Sequence, residues 1–135
     1  MGSDASGCVV AAVVLFNCVA RLTGDRYAGV SLTRELDGFV QTGSGVLPRS
    51  ALCLSKGTAD QLYLAVRLAV CRLCLPEKPP IFLDDALSAF DDERLSLALE
   101  LLWELSGERQ VLLFTCQKRE GEALEGVPGV AKIIL

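Results

Sequence analysis

A chain of 135 residues with a net charge of −4 is long enough for one domain, burying roughly two-thirds of its unfolded surface. It carries no general basic field for clamping a phosphate backbone. The absence of histidine excludes Ser-His-Asp, Cys-His and His-metal chemistry, and a hydrophobic share of 51% exceeds the roughly 45–50% usual for soluble domains, which implies either an unusually large core or, the favoured reading, an apolar face awaiting a partner.

The stretch Cys8 to Leu22 is apolar but interrupted by Asn17 and Arg21, and it falls short of the ~20 residues a bilayer crossing needs. No cationic segment precedes it, as a secretory signal would require, so a buried helix is expected and not a membrane span. Val30-Ser31-Leu32 and Phe39-Val40-Gln41 flank a polar turn at Arg34 to Asp37, which predicts a hairpin. Thr42-Gly43-Ser44-Gly45 reads as a second turn, after which Pro48 keeps the chain extended into Leu52-Cys53-Leu54. From Thr58 to Leu75, Leu62, Ala65, Val66, Ala69, Val70 and Leu73 recur at helical spacing while Leu64, Leu68 and Cys71 fill the adjoining face. A helix apolar on most sides is expected to be buried.

Pro76, Pro79 and Pro80 end that helix and lead into Ile81-Phe82-Leu83-Asp84, a run too short for a helix and read as a central strand. A helix follows from about Asp92 to Ser106, with acidic residues in its first turn and Gly107 at its end. Gln110 to Cys116 reads as a buried strand, Lys118 to Glu125 as a charged stretch, and Val130 to Leu135 as a third strand. The order strand, helix, strand predicts an α/β fold with a mostly parallel sheet flanked by helices, preceded by an N-terminal helix and a β-hairpin. The six cysteines lie mostly in apolar runs, where free thiols behave as small buried hydrophobes suited to a reducing cytoplasm. Cys71 and Cys74 form a C-x-x-C with no second pair to complete a zinc site.

Ligands of open α/β sheets bind beyond the carboxyl ends of the strands, and Asp84 falls at such an end. This is a Walker B arrangement, in which the aspartate holds a nucleotide's Mg²⁺ through water while phosphate fills the rest of the octahedron. Asp85 follows, placed to orient or deprotonate an attacking water. An apolar run ending in Asp-Asp also caps many ordinary loops, so the pair by itself is a weak signal. About thirty residues earlier, Ser55-Lys56-Gly57 stands immediately before a long helix. Orphan amides at a helix mouth favour phosphate, Ser55 adds a hydroxyl, Lys56 a charge, and Gly57 permits close backbone approach. A plain helix cap by Ser55 or Thr58 is the competing reading.

Together these residues resemble the ABC-type ATPase heads of the SMC, SbcC and RecN-like superfamily, and YhaN-like DNA-repair ATPases in particular. The similarity runs from Ala20-Arg21-Leu22-Thr23-Gly24-Asp25-Arg26-Tyr27, through a signature at Leu54-Ser55-Lys56-Gly57 continued by Gln61-Leu62-Tyr63-Leu64-Ala65, to Phe82-Leu83-Asp84-Asp85-Ala86. It continues through Phe90-Asp91-Asp92-Glu93-Arg94, which looks like a D-loop, and Val111-Leu112-Leu113-Phe114-Thr115-Cys116 before the switch position. The resemblance implies the C-terminal lobe of a P-loop NTPase-like head, with ATP and Mg²⁺ as cofactors. Ser55, Lys56, Gly57 and Gln61 then belong to the signature that meets the γ-phosphate of ATP held by a facing head. Asp84 ligates Mg²⁺ through water, Asp85 stands where the catalytic glutamate is usual, Asp91 communicates across the dimer, and Gln117 occupies the switch position usually held by His. The partners implied are a P-loop-bearing N-terminal lobe or a second head, a homodimer formed through ATP, and DNA reached only through the parent protein, with no membrane.

Two departures bear on turnover. Asp85 is one methylene shorter than glutamate, which predicts slow hydrolysis, and Gln117 hydrogen-bonds phosphate or water but carries no charge. No Gly-Lys-Ser or Gly-Lys-Thr occurs in the sequence, so the chain has no Walker A loop to cradle the β- and γ-phosphates. A fragment, a split gene product and a degenerate paralogue are all consistent with that, and the least similar part, the first twenty residues, reads as a helix covering an otherwise exposed surface. The function expected is half of an ATPase that hydrolyses ATP only when completed. Its alternative is a non-catalytic module for ATP-dependent dimerisation. A Mg²⁺-dependent nuclease or phosphatase built on Asp84, Asp85, Asp91 and Asp92 is a third reading. Arg94 is expected to make a helix-surface ion pair, and Trp103 and Tyr63 to pack and not to stack on bases.

Overall fold

The computed structural model describes residues 5–33, 37–43 and 47–135, with side chains from residue 13 onward. Helix α1 spans Ala5–Thr23. It stops because Gly24 takes φ +60°, a left-handed conformation that costs glycine little. The Asp25 amide then reaches back to the Ala20 carbonyl at 2.8 Å, the six-to-one bond of a Schellman end. Strands β1 (Gly29–Leu32), β2 (Gly38–Gln41) and β3 (Arg49–Ser50) form an antiparallel sheet in that order. Val30 faces Val40, and Phe39 faces Ser50. The expected hairpin is therefore present, while residues 34–36 of its turn and 44–46 of the second turn lie outside the described residues.

The segment after Pro48 is not extended throughout: Ala51–Cys53 forms a 3₁₀ turn. Ser50 accepts the Leu52 amide on its side chain at 3.3 Å, and the Leu54 amide closes on the Ala51 carbonyl at 3.2 Å. A local hydroxyl cap competes with strand pairing here and wins. Helix α2 (Lys56–Cys74) follows at once, and its buried face is Leu62, Leu64, Ala65, Leu68 and Ala69. Val70 and Leu73 on the same helix remain exposed.

Strand β4 (Ile81–Asp84), helix α3 (Asp92–Ser106) and strand β5 (Val111–Phe114) make the strand-helix-strand unit. β4 and β5 pair in parallel, Ile81 opposite Val111 and Asp84 opposite Phe114. Among the described residues this sheet has two strands, so β4 has one neighbour and is not central. Its inward side chains Ile81 and Leu83 are buried, whereas Phe82 is 67% exposed. Phe82 stacks on Phe114 with centroids 6.4 Å apart. The third strand expected at Val130 to Leu135 does not form; without a neighbouring ladder an extended segment gains nothing from strand geometry, and Ile133, Ile134 and Leu135 are exposed. The charged stretch holds a short helix instead, α4 (Lys118–Ala123), and its Glu120 is fully buried.

The core gathers where α1 packs on α2 and α3. Leu22, Leu62, Leu68 and Leu87 are its largest fully buried side chains, each contributing about 1.5–3 kcal/mol by leaving water. An Arg21–Glu104 ion pair links α1 to α3 at the rim; it is solvent-exposed and adds little. No helix among the described residues is long and apolar enough to cross a membrane.

The cysteines divide differently from expectation. Cys18 is buried, but Cys53, Cys74 and Cys116 are exposed because they sit at the ends of elements and not in their interiors. Burial pushes the Cys18 thiol above its ordinary pKa, against the lowering pull of Arg72 and Arg21. Since the thiolate is the nucleophile, iodoacetamide at pH ~8 is expected to alkylate Cys53, Cys74 and Cys116 in the native chain and Cys18 only on unfolding. Peptide mapping by mass spectrometry reads this, and native labelling of Cys18 at the rate of Cys53 would contradict the packing.

Candidate functional site

The mouth of α2 and the carboxyl end of β4 are built from residues far apart in sequence. Ser55 is the N-cap of α2, extended at φ −60°, ψ 152°. Its Oγ accepts the Thr58 amide at 3.4 Å and lies 2.9 Å from the Thr58 hydroxyl. Ser55 and Lys56 are exposed, and the helix they open runs for 19 residues. The capping reading of Ser55 is thus correct, and an exposed capping hydroxyl is also open to an anion. Gly57 is buried against the next segment of the site: a Cβ there would stand 2.9 Å from the Ala89 carbonyl oxygen. Glycine at this position is a requirement for the backbone at the mouth of α2 to lie against the loop that follows β4.

At the other side, Asp84 ends β4 with its side chain exposed. Asp85 adopts φ +46°, a left-handed conformation uncommon outside glycine, though Asp tolerates it better than most. Surrounding bonds hold it there. Its amide donates to the Phe114 carbonyl at 2.9 Å, and its Oδ1 accepts the Cys116 amide at 3.3 Å. The effect is to turn the Asp85 carboxylate across the end of β5, beside the residue that precedes Gln117. Gln117 caps α4 without a side-chain capping bond. Its Oε1 accepts from Arg119 Nε at 2.8 Å, so the amide's donor end is the one left toward Ser88, whose carbonyl is 3.5 Å away.

Arg94 ties the mouth of α2 to the start of α3. Nη1 donates to Asp91 Oδ2 at 2.6 Å, Nε to Gln61 Oε1 at 3.0 Å and Nη2 to Thr58 Oγ1 at 3.1 Å. The expected ion pair exists, but the side chain is only 20% exposed and reaches across to α2. Asp91 uses both oxygens within its own chain, since Oδ1 also caps α3 through the Arg94 amide at 2.9 Å. Gln61 is 2% exposed. Its Nε2 donates to the Leu22 carbonyl and its Oε1 accepts from Arg94 Nε, so both ends of its amide serve packing between α1, α2 and α3. Sequence reading missed that Arg94 is the hub. The signal available was an arginine three residues past an Asp cap, but its partners Thr58 and Gln61 come together only in the fold.

Among the described residues, no group of three or more His, Cys, Asp and Glu side chains comes together as a metal cage requires. Asp84, Asp85, Asp91 and Asp92 therefore do not form such a group among the described residues. One exposed carboxylate at a strand end still suits Mg²⁺, which keeps most of its shell for water and phosphate. Tyr63 packs against the core, and Trp103 donates to the Pro128 carbonyl at 3.0 Å.

With its helix mouth, acidic strand end and two-stranded parallel sheet, the chain has the fold of solved SMC head domains. Structural comparison gives a TM-score of 0.68 at 20% identity with an SMC ATPase studied for ATP-driven dimerisation and DNA-stimulated activation, covering 93% of this chain and 78% of that one. The SMC head domain of Thermotoga maritima matches at a TM-score of 0.61 and 22% identity, over 84% of this chain and 40% of that one. In sequence, the chain is 46% identical over 72 residues to the uncharacterized protein YhaN of Bacillus subtilis, covering 52% of this chain and 8% of that protein. It is 35% identical over 102 residues to the uncharacterized protein Rv1278 of Mycobacterium tuberculosis, covering 73% of this chain and 12% of Rv1278. The chain therefore spans about a tenth of the length of these curated relatives. No family model matches it.

Gly57→Ala tests the junction directly. The added methyl meets a backbone oxygen that cannot rotate away, so a loss of about 1–3 kcal/mol is expected. Urea unfolding measures it, and a neutral result would show that α2 and the Ala89 loop are not held in contact.

Proposed function

We propose that the chain is the lobe of an SMC-like ATPase head that contributes the signature and Walker B groups, completed by a P-loop-bearing lobe and a facing head. The observation that supports this reading is an exposed Ser55-Lys56 helix mouth and an exposed Asp84-Asp85 strand end in one fold, with Gly57 packed against the Ala89 carbonyl of the loop that follows β4. Ser55, Lys56 and the Gly57 backbone meet the γ-phosphate of ATP bound to the facing head. Asp84 holds Mg²⁺ through water, and Mg²⁺ supplies charge neutralisation as the γ-phosphoryl group is transferred. Asp85 takes a proton from, or orients, the attacking water, and Gln117 presents its amide donor to phosphate or water. Asp91 is the D-loop aspartate facing the dimer boundary.

The exposed Phe82–Phe114 stack and the open edges of the two-stranded sheet supply an apolar surface on which the missing lobe docks. Head-to-head pairing through ATP, cytoplasmic location and a role in DNA repair or chromosome maintenance, with DNA contacted elsewhere in the parent protein, complete the proposal.

A second reading has its own support. Asp85 is short for a general base, and the Gln117 carbonyl is occupied by Arg119, which favours a module that dimerises on ATP without turning it over. Mixing the chain with a P-loop-bearing N-terminal head lobe, ATP and Mg²⁺ separates the two. The catalytic reading expects ATP hydrolysis that falls at least about a hundred-fold in Asp84→Ala, the scale of losing a metal-positioning or charge-stabilising group, and that rises in Asp85→Glu. ATP-dependent association with no phosphate release establishes the second reading, and neither association nor hydrolysis contradicts both.

A further inference from the structure

The Ser55 and Thr58 hydroxyls lie 2.9 Å apart, and the direction of that bond decides what Ser55 can offer a phosphate. A hydroxyl has one hydrogen and two acceptor lone pairs, while a guanidinium has donors only. Arg94 Nη2, 3.1 Å from Thr58 Oγ1, therefore makes that oxygen an acceptor. Arg94 has little freedom to do otherwise, because Gln61 Oε1 and Asp91 Oδ2 hold its other nitrogens. The Thr58 side chain is 6% exposed, and the acceptor within reach of its own hydrogen is Ser55 Oγ. Ser55 Oγ also accepts the Thr58 amide hydrogen at 3.4 Å. With both lone pairs so engaged, the one bond left to Ser55 is donation of its own hydrogen, on the exposed side of the helix mouth.

We propose that Arg94 and Thr58 are positioning residues that fix the Ser55 hydroxyl as an outward donor aimed at a phosphate oxygen. The identity of the acceptor rests on the function proposed above; the polarity of the relay does not. Donor polarity is what a fully ionised phosphate requires, since it offers acceptors only, and a hydroxyl free to rotate would spend part of its time presenting a lone pair. The chain Arg94 to Thr58 to Ser55 also joins the Asp91 turn to the signature segment, so that a shift of Asp91 disturbs the orientation of the hydroxyl.

Neutron diffraction from crystals of the chain exchanged into D₂O locates the deuterons. The expected map has the Thr58 deuteron on the line to Ser55 Oγ and the Ser55 deuteron pointing to solvent. A Ser55 deuteron directed at Thr58 Oγ1 overturns the proposal whatever the chain does with ATP. In the mixture with a P-loop-bearing lobe, Thr58→Val is expected to weaken ATP-dependent association roughly ten- to a hundred-fold, the scale of losing a hydrogen bond to a charged group, and Thr58→Ser to restore it. Association by Thr58→Val equal to wild type overturns the proposal. If wild type fails to associate on ATP while the deuterons lie as expected, the ATPase reading falls and Ser55 stands as an outward donor.

Discussion

The Arg94 guanidinium is the constraint on which the rest of the site depends. It lies in the first turn of α3 and binds the carboxylate that caps its own helix, a hydroxyl in the first turn of α2, and a buried amide that in turn holds the end of α1. The ion pair with Asp91 is worth little by itself, because Asp91 is more than half exposed and water screens it. What matters is the planar fork, which fixes three partners in one geometry as a lysine point charge cannot. Gly57 completes the join by allowing two backbones to touch. The Ser55-Lys56-Gly57 segment, the loop after β4 and the start of α3 are thereby held together.

That piece is well made, but the molecule around it is open. Phe82, Phe114, Val13, Phe16, Val70 and Leu73 leave apolar area in water, in keeping with the high hydrophobic share of the sequence. Its leucine core gathers around α1, α2 and α3, yet among the described residues its parallel sheet has two strands, with edges that ordinarily invite a neighbour. A lobe that adds strands and covers the phenylalanines would satisfy both deficits together.

Much of this was legible because local chemistry and tertiary packing agree. The helix Asp92 to Ser106 declares itself at both ends, with acidic residues in its first turn and Gly107 after its last, and it forms over those residues. Prolines isolate β4, and Ser55 marks the start of α2. Other features depend on partners that a linear reading cannot supply. Gln61 looks like a polar helix position and is buried because a carbonyl of α1 and a guanidinium of α3 meet it there. Glu120 sits in a run of charges typical of a solvated face, yet the short α4 turns it inward. Val130 to Leu135 has strand composition and no strand to pair with. Cysteines in apolar runs are buried in a helix interior, as Cys18 is, and exposed where the run reaches the end of an element, as at Cys53, Cys74 and Cys116.

The account stands or falls on whether the helix mouth and the strand end meet phosphate in one complex. A crystal structure of the chain with a P-loop-bearing lobe, Mg²⁺ and a non-hydrolysable ATP analogue measures this most directly. The account predicts the Ser55 hydroxyl and the Gly57 amide on the γ-phosphate of nucleotide held by the facing head, with Asp84 joined through water to the Mg²⁺ of its own head. Nucleotide bound elsewhere, with Ser55 facing bulk solvent and Asp84 remote from the metal, would contradict it.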